Sequence, residues 1–208
     1  MTTRVGGSGW PEGAVRSRCA GFTLAELAVV LALSLVLAAM AVPLIGGGRD
    51  HLLASAAARH LVSQLHHARA DAVLRGAYVG IRFDGSPVDV RYALVADGNQ
   101  NGIRVVDINK GIDRQIGSWE RLSDHFQGVQ FSIGTGVLDV DSGSPLTGDP
   151  LRIGGSDVLS FSPGGTATSG TLYLKGRSGP QYAVRILGAT GRVRLLRFES
   201  ASRRWVAA

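Results

Sequence analysis

Oxygen-bearing side chains recur at alternate positions in the run DGNQNG, residues 97–102. Carboxylate and amide oxygens at the first, third and fifth positions, followed by a glycine, form the first half of a calcium-binding loop. The last position of such a loop should supply a bidentate acid, but Ile108 stands there and Asp107 falls one residue early. A turn stabilised by the side chains of Asp97, Asn99 and Asn101 explains the same residues. We therefore predict a structural turn and no metal site, and calcium binding by this loop is the open alternative.

Three histidines, His60, His66 and His67, occur in a segment with helical periodicity. His60 and His67 share a helix face, but they are too far apart along the axis to bind one metal ion without other ligands. We predict that all three are solvated helix side chains. The sequence contains no paired catalytic carboxylates, no nucleophile elbow and no phosphate-binding lysine loop. It therefore predicts a protein that is not an enzyme and has neither a cofactor nor a small-molecule substrate.

A single acid, Glu26, interrupts an otherwise uncharged apolar run over residues 22–42. As a helix with a rise of about 1.5 Å per residue, this run would be about 31 Å long, which matches the hydrocarbon core of a bilayer. Three arginines precede the run and predict a cytoplasmic N-terminus. Because an ionised side chain in a membrane helix costs a few kcal/mol, such a charge usually has a partner.

Three interpretations of this apolar run are open. It is a plain signal anchor, a secretory signal cleaved near Ala39-Met40-Ala41, or a segment cut after Gly21. Only the third interpretation gives Glu26 a partner, because cleavage creates a free amine on Phe22 that a carboxylate of a neighbouring copy can meet. Such a desolvated ion pair fixes the register of an assembly more than it adds stability.

The segment Gly21-Phe22-Thr23-Leu24-Ala25-Glu26-Leu27 resembles the processing and methylation motif of type IV prepilins and pseudopilins. The resemblance implies a cleaved prepilin leader at 1–21, with Gly21 before the peptidase cut and Phe22 as the N-methylated terminus. It implies that Glu26 is the assembly carboxylate. It also implies that Pro43 lies where these pilins place a helix-kinking proline, so that residues 22–43 form the transmembrane and assembly helix.

The helix is predicted to be interrupted at Pro43 and Gly46-Gly47-Gly48, because proline lacks a backbone donor and glycine is a poor helix former. It is then predicted to resume within residues 44–76 as an amphipathic helix that ends near Gly76. Its apolar stripe has steps of three or four residues and consists of Leu53, Ala57, Leu61, Leu65, Ala68 and Ala72.

Patterns typical of strands replace the helical pattern after Gly76. Strands are predicted at 78–83 and 88–95, joined by a turn at 84–87, and at 103–108, 128–133, 157–161, 171–175, 181–187 and 192–198. The fold class is therefore predicted to be α+β, with one long N-terminal helix packed on an antiparallel β-sheet domain over 77–208. This is a type IV pilin-like fold, which the N-terminal motif also implies.

Four later segments resemble the GspH/FimT family of minor pilins and pseudopilins, at 68–73, 97–102, 161–165 and 190–194. The resemblance implies a single-pass protein of the bacterial inner membrane whose β domain lies in the periplasm and enters a pseudopilus or pilus. The implied partners are other major and minor pilins, the prepilin peptidase and the inner-membrane assembly platform. The implied function is structural, as a minor subunit of a type II secretion pseudopilus or a type IV pilus that assists filament initiation, tip assembly and protein secretion.

Basic residues are concentrated near the C-terminus, where residues 175–208 contain eight basic residues and one acid. Strand alternation puts Arg192 and Arg194 on one face. With Arg197 and the tail residues Arg203 and Arg204, expected to be flexible, they form a candidate set for binding the phosphates of double-stranded DNA. The Gly-Arg-x-Arg pattern also resembles the DNA-binding tail of FimT proteins, so a DNA-uptake pilin is the alternative function. Contacts with acidic neighbours in a filament explain the same arginines, and both hypotheses stay open.

Overall fold

The structure of the protein is a computed structural model. It describes residues 21–86 and 89–208, with side chains described in these ranges except at 41–47. The chain divides into two compact units, one ending at Pro43 and the other comprising Leu44–Ala208. The predicted leader therefore lies outside the described residues, apart from Gly21.

Helix α1 extends from Leu24 to Arg75 without interruption. The predicted break at Pro43 and Gly46-Gly47-Gly48 is wrong, whereas the predicted end near Gly76 is confirmed by the positive φ of that residue, +62°. A proline inside a helix costs about 3 kcal/mol and a glycine about 1 kcal/mol. A break would instead create two new helix ends, each with four backbone groups that lack an intrahelical partner. We attribute the continuity of α1 to the long helical segments on both sides of the proline and the glycines.

The second half of α1 buries the apolar stripe that its periodicity predicts. Leu53 is partly buried, and every other member is fully buried: Ala57, Leu61, Leu65, Ala68 and Ala72. Ala54 and Ala58 are fully buried as well, so that five small side chains of this half of α1 lie in the core. Leu61 and Leu65 are the large side chains of the stripe that are fully buried, and each contributes about 1.5–3 kcal/mol.

Ten strands and two short helices follow α1 within the described residues. In chain order they are β1 (Val79–Ser86), β2 (Asp89–Ala96), α2 (Val105–Asn109), β3 (Arg114–Arg121), α3 (Leu122–His125), β4 (Gln130–Phe131), β5 (Leu151–Arg152), β6 (Val158–Phe161), β7 (Gly170–Lys175), β8 (Gln181–Leu187), β9 (Arg192–Glu199) and β10 (Arg204–Ala207). The strands form two antiparallel sheets. Sheet A has the order β3-β2-β1-β6, and sheet B has the order β10-β9-β8-β7-β4, with β5 also paired to β7. The predicted α+β class, with a long helix followed by antiparallel sheets, is confirmed.

One apolar core joins α1 to both sheets. Leu61 of the helix belongs to the same buried cluster as Ile81 and Tyr92 of sheet A and Leu172 and Val184 of sheet B. This cluster defines the inner face of sheet B, toward α1. The sheets therefore hold the second half of the helix through side chains that are far apart in sequence.

The opposite, outer face of sheet B has a smaller apolar cluster of its own. Tyr173 of β7 and Ala183 of β8 are fully buried there against Val137 and Leu146, which belong to the loop between β4 and β5. This loop therefore covers part of the outer face, and Leu196, Phe198 and Trp205 are partly buried beside it.

Three of the predicted elements differ from the structure in type or in extent by more than one residue. The strand predicted at 103–108 is the short helix α2, because the N–H of Ile108 bonds to the carbonyl of Arg104 in helical fashion. The strand predicted at 128–133 shortens to β4. The turn was predicted to begin at residue 84, but β1 continues to Ser86, which pairs with Asp89 of β2. Strands β3, β5 and β10 and helix α3 were not predicted.

Candidate functional site

A reciprocal arrangement of Thr23 and Glu26 caps the start of α1. The backbone N–H and the hydroxyl of Thr23 donate to Oε2 of Glu26 at 3.1 and 3.2 Å, and the N–H of Glu26 donates to Oγ1 of Thr23 at 3.2 Å. This is a capping box, which satisfies backbone donors that a helix start leaves free. Thr23 was not among the predicted site residues, although the Thr-x-x-Glu spacing is the sequence signal for it.

The carboxylate of Glu26 keeps one oxygen available. Both capping bonds end on Oε2, and no hydrogen bond from the described part of the chain reaches Oε1. An ionised carboxylate offers about four acceptor positions. Glu26 is exposed, and Phe22 is 85% exposed. The cap therefore leaves room for a donor from another molecule.

Large apolar side chains are exposed all along the first half of α1. From Leu24 to Met40 each one is at least 55% exposed: Leu24, Leu27, Val29, Val30, Leu31, Leu33, Leu35, Val36, Leu37 and Met40. An exposed apolar surface of this extent marks a site for a partner or a membrane. In the described part of the chain, no helix has both the length and the apolarity needed to cross a membrane. The transmembrane segment at 22–43 stays a prediction, and the side chain of Pro43 lies outside the described ones.

The DGNQNG run forms a turn in which its own carboxylate oxygens accept backbone donors. Oδ1 of Asp97 accepts the N–H groups two and three residues later, at 3.0 and 2.8 Å, and Oδ2 accepts that of Gly102 at 2.7 Å. The buried Asp113 accepts the N–H groups of Gly98 and Arg104, at 3.2 and 2.9 Å. These contacts are those of the predicted structural turn. Across residues 21–86 and 89–208, no three His, Cys, Asp or Glu side chains are grouped to hold a metal ion.

The prediction for the histidines holds for two of the three. His66 and His67 are exposed, but His60 is half-buried, with Nε2 3.2 Å from the hydroxyl oxygen of Tyr92. That hydroxyl donates to Oε2 of Glu120 at 3.3 Å. Burial, followed by the nearby Glu120 carboxylate, raises the pKa of Tyr92 above its ordinary value. His60 was missed because its partners come from β2 and β3, and it ties α1 to sheet A.

Three of the four family-like segments meet at Arg69 of α1. Its Nη1 donates to the carbonyl oxygen of Gly191 at 3.3 Å, and its Nη2 lies 3.6 Å from the position of a Cβ on Gly165. Gly191 has φ of +57°, and a Cβ there would lie 2.5 Å from the Gly165 carbonyl oxygen. The segments 68–73, 161–165 and 190–194 therefore form one junction between α1 and the loops that follow β6 and β8. We call it the Arg69 junction, and its role is structural.

The five arginines predicted to bind DNA do not share one surface. Arg192 and Arg194 are exposed on the outer face of sheet B, while Val193 and Leu195 between and after them pack against the core. Arg197 is on the opposite face of β9, and the strand register puts Arg204 on that side too. The set is therefore divided between two faces of the sheet.

The C-terminal residues form strand β10 rather than the predicted flexible tail. The indole N–H of Trp205 donates to the carbonyl oxygen of Leu138 at 2.7 Å. Its ring packs on Tyr173 and Phe198, with centroids 5.8 and 5.1 Å away. These contacts hold the end of the chain on sheet B. The indole ring is therefore part of the packing on the outer face of sheet B.

Comparisons with known proteins point to one family. The family model described as type II transport protein GspH matches residues 57–191, about two thirds of the chain. The model of the prokaryotic N-terminal methylation motif matches residues 16–42. Among solved structures, the minor pseudopilin EpsH from the type 2 secretion system of Vibrio cholerae is similar, with 19% identity and a TM-score of 0.43 over 69% of this chain and 96% of that one. No curated protein matches the sequence.

Proposed function

The chain belongs to the GspH family of type II transport proteins, and from this premise we propose that it acts as a minor pseudopilin of type II secretion. The observation that carries the proposal is the order of two matches, the methylation motif at 16–42 and then the GspH model at 57–191. A subunit of this kind is structural rather than catalytic. It enters a short filament with other pilins and helps to initiate it or form its tip.

Processing by the prepilin peptidase would make the chain competent for assembly. In this proposal the peptidase cuts after Gly21, and Phe22 becomes the N-methylated terminus. Residues 22–43 then anchor the chain in the inner membrane as a single-pass helix, and the domain that follows lies in the periplasm. The exposed apolar side chains of the first half of α1 support this arrangement, because lipid or other pilin helices would cover them.

Glu26 would make the specific contact within the filament. Its Oε2 is used by the capping box, whereas Oε1 is available to the amine of Phe22 on a neighbouring subunit. An ammonium–carboxylate hydrogen bond is stronger than a neutral one, and in an apolar environment it defines the register of neighbouring helices. The cap holds the carboxylate near the helix terminus, where this contact forms.

DNA uptake is the weaker alternative. The family match supports type II secretion. The structure also divides the predicted arginines between two faces of sheet B and packs the tail as a strand. We therefore propose no DNA-binding function.

The experiment that tests the proposal is to compare Glu26→Gln with Thr23→Ala, each as the sole copy in secretion-competent cells. Glutamine can still accept the capping bond but carries no charge, so we expect Glu26→Gln to keep the helix and abolish secretion. Thr23→Ala removes the cap, at a cost of about 0.5–2 kcal/mol to the helix, but it keeps the charge. We expect this variant to retain most of its secretion.

Membrane levels and leader cleavage, measured by immunoblot, control for expression and processing of both variants. Normal secretion by Glu26→Gln together with loss of secretion by Thr23→Ala would mean that Glu26 acts only as a cap. That result would overturn the proposed assembly contact.

A further inference from the structure

Four strands of sheet B place polar side chains in one row across the outer face. The strand register sets Arg152 of β5 opposite Thr171 of β7, Thr171 opposite Arg185 of β8, and Arg185 opposite Arg194 of β9. Since neighbouring strands are about 4.8 Å apart, the row is about 14 Å long. Arg192, two residues before Arg194 on the same face, extends it. We call Arg152, Arg185, Arg192 and Arg194 together the arginine row.

Two aspartates from the loop between β4 and β5 already bind one end of the row. The carboxylate of Asp139 lies 3.5 Å from Nη1 of Arg152, and that of Asp141 forms an ion pair with Arg185. The N–H groups of Asp141 and Ser142 donate to Asp139 at 2.9 Å. Partial burial raises the pKa of Asp139, but these hydrogen bonds more than offset that effect and hold the pKa below its ordinary value. Asp139 is therefore an ionised ligand of the row at neutral pH.

The other end of the row has no such ligand. Arg192 and Arg194 are exposed, and no carboxylate of the described residues comes within 4.0 Å of either guanidinium. Arg194 lies directly opposite Arg185, and like charges in that position destabilise a sheet. An added carboxylate at this end would relieve the repulsion.

We propose that Arg192 and Arg194 bind an acidic loop of a neighbouring pseudopilin, as Arg152 and Arg185 bind Asp139 and Asp141. Two observations support a carboxylate ligand. The free end of the row is positively charged and so attracts a carboxylate, and the other end of the same row already forms carboxylate pairs within the chain. A guanidinium also matches a carboxylate with two parallel donors. The inference rests on the proposed function for the identity of the partner as a filament subunit.

Double-stranded DNA fits this surface less well. Two free arginines neutralise about two phosphates, and so few contacts give little affinity at physiological salt. An acidic loop needs only two carboxylates to fill the free end.

The test is photo-crosslinking from the full-length chain in the cells that produce it. A photoreactive phenylalanine replaces Ala207, which is exposed and pairs with Leu196 on the face that carries Arg194. We expect an adduct with an Asp- or Glu-containing segment of another filament subunit, identified by mass spectrometry. The double variant Arg192→Glu, Arg194→Glu should lower the yield of this adduct about tenfold or more, because the contact of each position with a partner carboxylate changes from attraction to repulsion. Arg203→Glu with Arg204→Glu, a reversal of equal charge away from the row, should leave the yield unchanged.

Equal yield with Arg192→Glu and Arg194→Glu, an adduct with DNA or a non-acidic segment, or no adduct would overturn this inference. A second probe at Leu31, on the exposed apolar part of α1, distinguishes a failure of this inference from a failure of the proposed function. An adduct from Leu31 to another pilin with none from Ala207 would reject the acidic partner and keep the pseudopilin. No pilin adduct from Leu31 would reject the pseudopilin itself.

Discussion

Replacement of Gly191 by alanine should destabilise the Arg69 junction through two separable effects. Gly191 has φ of +57°, where a residue with a Cβ costs about 1–2 kcal/mol. The new Cβ would also lie 2.5 Å from the carbonyl oxygen of Gly165 and 3.4 Å from Nε of Arg69. Because the first distance is too short for a Cβ, the turn must move. We expect the bond from Arg69 to the Gly191 carbonyl to be lost, at a further cost of about 1–3 kcal/mol.

Gly143→Ala is the matched control for this substitution. Gly143 has φ of +67°, and no atom lies within 4 Å of the position of its Cβ, so alanine there carries the conformational cost alone. We expect Gly143→Ala to lower the free energy of unfolding by about 1–2 kcal/mol and Gly191→Ala by about 2–5 kcal/mol. For a folded unit of this size, 1 kcal/mol corresponds to about 2–4 °C in Tm.

Thermal unfolding of the full-length proteins in one detergent, followed by circular dichroism, measures both variants. The Tm of Gly191→Ala should fall clearly below that of Gly143→Ala. Equal Tm values would refute the reasoning, because they would show that the close approach of Gly191 to Gly165 and the Arg69 bond contribute nothing to stability.

Two further substitutions test the core and the outer face of sheet B. Leu61→Ala should lower the free energy of unfolding by about 2–5 kcal/mol, because the side chain of Leu61 is fully buried between α1 and the sheets. The control Ser63→Ala, on the exposed side of the helix, should change the free energy of unfolding little. Similar urea midpoints for the two variants would contradict the packing. Asp139→Asn tests how the stability of the fold depends on pH. Because the pKa of Asp139 is lowered in the folded state, its carboxylate contributes stability above about pH 4, and this contribution is lost as the pH falls through the folded pKa. The acid limb of the stability curve should therefore be shallower in Asp139→Asn than in the wild type, and identical acid limbs would contradict the role of the carboxylate.

The helix and most of the strands could be predicted because their patterns are local. The stripe through Leu61 and Leu65 follows the helix repeat, and the first half of β9 alternates between exposed and partly buried residues. Strands β7 and β8 are short apolar runs that are buried along most of their length. Helix α2 was predicted as a strand because four of the six residues at 103–108 are β-branched, and such residues favour strands. The bond that orders its start comes from Asp113, which accepts the N–H of Arg104 nine residues earlier. The apolar pattern of the segment carries no signal of that contact.

The site could be predicted only in part, for the same reason. The motif around Glu26 is contiguous, so the family could be predicted from the residues alone and the GspH match confirms it. The arginine row could not be predicted, since it depends on the register of β5, β7, β8 and β9. The packing of Trp205 on Tyr173 is equally non-local, and it converts an expected tail into β10.

Mass spectrometry of the native polypeptide, isolated from inner membranes, tests most directly whether this GspH-family chain is a processed pseudopilin. We predict a mature chain that begins at Phe22 and carries a methylated terminal amine. A chain that retains Gly21 and the residues before it, or one that starts after Ala41, would contradict the pseudopilin assignment.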